Sequence, residues 1–395
     1  MKWTKLFLLA VVMLCYHLLF AQADQPVFSL FLIGDAGEHA ISDTSHTKTL
    51  RKLKSELTAS QYQEKSAVIY LGDNVYPCGM APDNFKNGKV KYQIAPQVCC
   101  GSVNEMTSLS NTAKLSSQLE GLEGYDGSVF MVPGNHDWQR GERRGQEFVI
   151  NEKRIVDEYF SAGKLKHGGF YPKSSFGPND TLIKAEKGIS IRLIFIDSQW
   201  WLHAHNHHIN GLTSKNWKGK QQELNGFLNK LDSMVLQAKH DHEFVVIAEH
   251  HPIYTFGKHS TKLIIPIARW KFQNIDSKPY HYLRIRLDSI CNKYAIDKLI
   301  FAAGHDHNLQ YFRLPNYVEI VSGAGCKCTN EKDCTEFKNI KVEKNAPINE
   351  MHGEFNATGF FRVDYFSDNS TKIFIWEDDL DKEISPSELN FSYHK

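Results

Sequence analysis

Five short segments of the chain carry side chains that bind cations. They are Gly34-Asp35-Ala36-Gly37, Gly72-Asp73-Asn74-Val75-Tyr76, Gly134-Asn135-His136-Asp137, Glu249-His250-His251-Pro252 and Gly304-His305-Asp306-His307. Asp35 and Asp73 are hard oxygen donors. His250, His305 and His307 offer imidazole nitrogens, and Asn135 offers an amide oxygen. Tyr76 supplies a phenolate if a strongly acidic metal removes its proton. This inventory suits two cations, because one carboxylate can bridge them. Mixed oxygen and nitrogen donors point to iron, zinc or manganese rather than calcium or magnesium. Two ions about 3.5–4 Å apart can clamp both the attacking and leaving oxygens of a phosphate ester. Each segment alone is weak, since Gly-Asp turns and His-x-His pairs are common in loops. Five of them, each placed after an apolar run, are hard to explain as independent turns.

Those apolar runs must position the donors. Val27–Ile33, Ala67–Leu71, Val129–Val132, Ile189–Ile196, Phe244–Ala248, Leu299–Ala303 and Val318–Val321 read as buried strands. Leu50, Leu53 and Leu57 share one helical face. So do Leu224, Phe227, Leu228, Leu231 and Val235, and also Leu283, Leu287, Ile290 and Tyr294. Phe360–Phe366 and Lys372–Trp376 predict a strand pair turning at Asp368-Asn369. Strands alternating with helices argue for an α/β fold with covered sheets. In such sheets, sites form outside the carboxyl ends of the strands, so five motif-bearing turns can share one crevice.

The five blocks resemble, in order and spacing, the calcineurin-like metallophosphoesterases. The tyrosine of Gly72-Asp73-Asn74-Val75-Tyr76 narrows the resemblance to purple acid phosphatases. The run from Ala303 to Tyr311 and Ser322-Gly323-Ala324-Gly325 resemble the small, tartrate-resistant branch. The resemblance covers roughly residues 27 to 325. It implies two packed mixed β-sheets flanked by helices, an α-β-β-α sandwich. It implies that Asp35, Tyr76 and His307 hold Fe(3+), with Asp73 bridging. Asn135, His250 and His305 would complete a second site for Fe(2+), Zn(2+) or Mn(2+). His136 would contact substrate, and His259 would bind substrate or donate a proton. His251 departs from the small branch at its position, which leaves a plain loop histidine and a functional one both open. The implied reaction is hydrolysis of phosphate monoesters at acid pH by a metal-bound hydroxide.

Composition sets the frame. With 395 residues, 42% of them hydrophobic, the chain can pack a sizeable core, and its formal charge of +1 gives no reason to expect nucleic acid as partner. Residues 1–23 read as a signal peptide: Lys2 and Lys5, an apolar run from Leu6 to Phe20, then Ala21-Gln22-Ala23. The expected product is an exported protein with no stable membrane insertion after cleavage, in periplasm, medium or lysosome according to source. Residues 24–395 are expected to form one catalytic domain, a monomer that acts on a small phosphomonoester or a phosphoprotein. Its last part, 326–395, is read as a cysteine-containing loop and terminal strands.

Cys15 leaves with the leader. Cys78 with Cys99-Cys100, and Cys326-Cys328 with Cys334, are read as disulfide staples, and Cys291 as a buried free thiol. Sequons at Asn179, Asn356, Asn369 and Asn390 make glycosylation an option and suggest an exposed C-terminal region. The tract His203, His205, His207 and His208 is read as a solvated loop at the rim of the crevice, with a third metal site as the alternative. Arg140, Arg143 and Arg144 read as a charged helix start, with phosphate attraction as the alternative. Two other function classes remain: a phosphodiesterase or nucleotidase using the same metals, and a secreted binding protein on the same scaffold.

Overall fold

The computed structural model of the chain describes residues 25–38, 48–59, 62–82, 108–141, 144–174, 176–206, 214–257, 259, 275, 278–294, 298–327, 348–354, 357–379, 382–383 and 387–390. Residues 1–24, which include the expected signal peptide, and Cys99, Cys100, Cys328, Cys334, Arg143, His207, His208 and Asn356 lie outside those residues. In chain order the strands are β1 Phe28–Ile33, β2 Ser66–Tyr70, β3 Ser128–Met131, β4 His167–Phe170, β5 Asn179–Lys184, β6 Ser190–Phe195, β7 Phe244–Ala248, β8 Leu299–Ala303, β9 Leu309–Arg313, β10 Val318–Ser322, β11 Glu350–Glu354, β12 Thr358–Tyr365, β13 Thr371–Asp379, β14 Lys382–Glu383 and β15 Ser387–Asn390. The helices used below are α1 Lys48–Leu57, α2 Ser108–Leu119, α3 Gly145–Ser161, α4 Ser198–Asn206, α5 Ser214–His240 and α6 Lys278–Lys293.

Two mixed sheets pack face to face, flanked by helices. One runs β14-β13-β12-β1-β2-β3-β4, with β15 also on β13. The other runs β11-β9-β10-β8-β7-β6-β5. Neighbours from β1 to β4 are parallel, as are β6, β7, β8 and β10. Strand alternation explains the layers. Leu30 and Leu32 face the inter-sheet core with Ile69, Phe130, Leu193, Val246, Ala302 and Ile320. Phe31 and Ile33, one residue out of phase, pack outward under Leu50, Leu53 and Leu57 of α1. On the far side, Leu224, Leu228, Leu231 and Val235 of α5 and Leu283 and Leu287 of α6 cover Val245, Ile247 and Phe301. Strands apolar on both faces are the signature of sheets with both faces covered.

The expected strands and helical faces all lie in elements of those types. Several elements carried no such signal. In β4, His167-Gly168-Gly169-Phe170, the two glycines have φ of 118° and 133° and give no apolar run. In β5 the side chains are half-buried or exposed along an edge, so alternation is lost. Residues 198–206 form α4, which corrects the loop reading of the tract holding His203 and His205. The turn at Asp368-Asn369 is present, with Asn369 at φ 65° and exposed. Cys291 is a buried free thiol in α6. Cys78 is disulfide-bonded, with its partner outside the described residues. Cys326 is a free thiol, which corrects its assignment to a staple. Among the described residues, no helix is long and apolar enough to cross a membrane.

Candidate metal centre

The turns leaving β1, β2 and β3 in one sheet and β7 and β8 in the other meet at one edge of the sandwich. The meeting is tight backbone to backbone. The Asp35 N–H donates to the Gly72 carbonyl at 2.9 Å, Gly34 to Ser322 at 2.6 Å, and Gly304 to His250 at 3.0 Å. Asp35, Asp73 and His305 have φ of 58°, 54° and 73°, in the left-handed region that side chains usually avoid. Such conformations cost on the order of 1–3 kcal/mol each and persist where surrounding structure fixes them. Here they turn three donor side chains inward at the strand ends. Gly72, at φ 88°, leaves the space: a Cβ there would meet His250 Nδ1 at 2.6 Å.

Two groups of donors result. In the first, Tyr76 Oη lies 2.6 Å from Asp35 Oδ1 and 3.1 Å from His307 Nε2, and His307 Nε2 lies 3.5 Å from Asp35 Oδ1. In the second, Asn135 Oδ1 lies 2.9 Å from His250 Nε2 and 3.1 Å from His305 Nδ1, and those two nitrogens are 3.2 Å apart. Asp73 stands between the groups, with Oδ1 3.5 Å from His250 Nε2 and Tyr76 bonding to it from the other side. Ligands held ~2.1 Å from one ion lie about 3.0–3.4 Å apart, so both spacings suit a cation. The tautomers agree. His250 Nδ1 donates to the Leu71 carbonyl at 2.8 Å, which leaves a lone pair on Nε2 facing the Asn135 oxygen. A positive charge suits that contact, either a cation or a proton on His250, whose pKa burial lowers but the Asp73 and Asp35 carboxylates raise overall. A backbone carbonyl fixing the outer nitrogen of a histidine is the usual support of a metal ligand.

The electrostatics point the same way. Burial works to raise the Asp73 carboxyl, but the His250 and His136 imidazoles beside it outweigh that and hold it below the usual carboxylate range. Burial, then the charges of Asp35 and Asp73, push the Tyr76 phenol well above its ordinary value. The phenol therefore keeps its proton unless a cation takes that proton's place. Lys327 Nζ lies 3.7 Å from the centre of the Tyr76 ring and also pairs with Glu38. The His307 side chain is 26% exposed, whereas His250 is fully buried, so the first group is the one open to solvent.

The two expected catalytic histidines both border this centre. His136 packs on the Tyr76 ring with centroids 4.2 Å apart. Its N–H donates to Asp73 Oδ1 at 2.8 Å, and its Nδ1 donates to the Pro77 carbonyl at 2.6 Å. Burial pushes its pKa down to about 3, despite the opposing Asp73 charge. The His259 ring lies 4.3 Å from that of His305 and 6.5 Å from that of His307. Arg140 sits closer to the centre than a solvated helix start requires, with Nε 3.4 Å from His136 Nδ1. Arg144 does open α3, where it pairs with Glu147 at the surface.

Motif reading left the supporting carboxylates without roles. Asp137 accepts from the N–H groups of Gly134, Asn74 and Val75 at 2.7, 3.1 and 3.0 Å. Asp306 accepts from the His259 N–H at 3.0 Å and from the Thr255 hydroxyl. Glu319 accepts from Ile253 and Tyr254 at 2.6 and 3.0 Å, just past the His250 turn. Asp137 and Asp306 stood inside the motifs, so their position was the available signal. Glu319 offered none, because its strand lies far away in sequence. Cys326 donates its S–H to the Asp35 carbonyl at 2.7 Å, so the thiol braces the same turn.

A model of the calcineurin-like phosphoesterase family matches residues 29–309. Among solved structures, the chain is similar to one described as GAP50, the anchor in the inner membrane complex of Plasmodium. That likeness has 14% identity over 93% of this chain and 90% of that one, with a TM-score of 0.54. Another is a dimetal phosphatase from Danio rerio, at 13% identity over 93% and 100% of the two chains, TM-score 0.47. At these identities the first likeness bears on the fold alone and the second carries no argument. No curated protein matches the chain.

Proposed function

The chain belongs to the calcineurin-like phosphoesterase family, and on that footing we propose that it is an exported acid phosphatase acting on phosphate monoesters. The observation that carries this reading is the pair of donor groups that share Asp73. Asp35, Tyr76 and His307 would hold one ion, and Asn135, His250 and His305 the other. When bound, such a pair polarises phosphate oxygens and makes a water acidic enough to attack below neutral pH. Tyr76 favours Fe(3+) in the first position, because only a strongly acidic ion displaces the proton of so buried a phenol. Fe(2+), Zn(2+) or Mn(2+) suits the nitrogen-rich second position.

The chain's own residues supply the rest. His136 is pinned through Nδ1, which turns Nε2 to the Asp73 side at 3.8 Å, where a substrate oxygen would sit. The His259 ring neighbours those of His305 and His307, and His259 would donate a proton to the leaving alkoxide. The apolar leader at 1–23 supports export, and the sequon at exposed Asn369 suits a glycosylated surface. A binding role without catalysis, on the same scaffold, is the second reading. The complete donor set favours catalysis.

Metal analysis and a visible spectrum of the purified protein test the proposal. We expect two ions per chain and a purple band that Tyr76→Phe abolishes while the fold persists. A colourless, iron-free, active wild type would sink the ferric assignment and spare the dinuclear one. Monoesters should be cleaved faster than diesters, with an acid optimum. A bell centred above about pH 8 would remove the acid assignment.

A further inference from the structure

We propose that His251 is an additional nitrogen donor to the second metal position, beside Asn135, His250 and His305. The proposal rests on the dinuclear reading above and adds a side chain to it. His251 is fully buried, and among the described residues its Nε2 has no hydrogen-bond partner. Leaving a buried polar atom unpaired costs about 1–3 kcal/mol, so such an atom calls for an explanation. One ring nitrogen from each of His250, His251 and His305 lies within 4.8 Å of the others. Two ligands on opposite sides of one ion are ~4.2 Å apart at usual metal–nitrogen lengths, so a small shift seats all three.

The ring is held in that place. Its centroid is 4.4 Å from that of His305 and 5.0 Å from that of His250. Ser198 Oγ, at the start of α4, lies 2.9 Å from His251 Nδ1. With Nδ1–H donating to that hydroxyl, the lone pair falls on Nε2. Tyr280 of α6 donates its hydroxyl to the His251 carbonyl at 2.6 Å, which fixes the backbone. The ring is thus oriented through its outer nitrogen, as His250 is through Leu71. A further imidazole makes the second position richer in nitrogen, which favours Zn(2+) over Mn(2+) there.

The test is titration of the metal-free full-length chain with Zn(2+), followed by calorimetry, and with Co(2+), followed by visible absorption. For His251→Phe we expect the dissociation constant of the second ion to rise about ten- to a hundredfold, with the first ion unchanged. The Co(2+) spectrum of the second position should shift. A folded His251→Phe protein with second-ion affinity within about twofold of wild type, and an unshifted Co(2+) spectrum, overturns the proposal. Should that variant fail to fold, Ser198→Ala takes its place. Releasing Nδ1 should weaken the second ion severalfold, and an unchanged affinity is again an overturning result. A wild type that binds fewer than two ions overturns the dinuclear reading together with this one, so the two failures are told apart by the wild-type stoichiometry.

Discussion

Asp137 shows how much of the candidate metal centre rests on a side chain outside its donor groups. Its carboxylate gathers three backbone N–H groups from the turns after β2 and β3, so Asp73, Tyr76 and Asn135 all depend on it. Burial, then the nearby Asp73 charge, push its pKa up to about 7, yet the three donors favour the charged form. Asp137→Ala leaves those donors unpaired in the interior. The expected loss is on the order of 3–5 kcal/mol in urea unfolding of the metal-free protein. Asp137→Asn keeps the acceptor oxygens in part and should lose less. Tyr76 is a different kind of residue. Its removal should change the ion and its colour far more than the stability.

At the scale of the element, the recurring device is a parallel strand that ends in a left-handed residue. β1, β2 and β8 each end this way, at Asp35, Asp73 and His305. The glycine before the ligand clears the room that the turn needs. At Gly72 an added methyl meets two obstacles, a φ of 88° and His250 Nδ1 at 2.6 Å. Gly72→Ala should therefore cost about 2 kcal/mol or more in unfolding free energy. It should also disrupt the bond from His250 to the Leu71 carbonyl, and so weaken the second ion. Calorimetric titration of a folded variant checks this. Retention of wild-type metal affinity would show that the turn adapts.

At the scale of the molecule, the centre joins two sheets, and its links are partly electrostatic. Asp197, just past β6, accepts from the indole of Trp138 at 2.9 Å, tying the second sheet to the turn after β3. Burial raises the Asp197 pKa to about 7. The folded state then holds this proton more tightly than the unfolded chain does. The group stabilises the fold below the unfolded value near 3.8, and its contribution is lost as pH rises through about 7. Unfolding midpoints of the metal-free protein should fall between pH 4 and 7, and Asp197→Asn should make that fall shallower, with Asp137 still contributing. An acid-stable fold suits the proposed activity at acid pH.

The sequence by itself determined the strands β1, β2, β3, β7 and β8, because their apolar runs are long and end abruptly in polar turns. It also determined the donor types, since Asp35, Asp73, Tyr76, Asn135, His250, His305 and His307 stand at those ends and nowhere else in comparable spacing. The edge strands β4 and β5 escaped it, for glycine and solvent exposure erase the pattern on which period-two reading depends. The family resemblance already implied how the donors are shared, and the tertiary structure alone supplied their spacing. Residues 250, 251 and 305 come from two strands of one sheet, and residue 135 from the other sheet. Their distances follow from packing, which no local pattern encodes. The same holds for His251. In the chain it is a histidine beside a proline, and burial, Ser198 and an Nε2 without a partner among the described residues give it a direction.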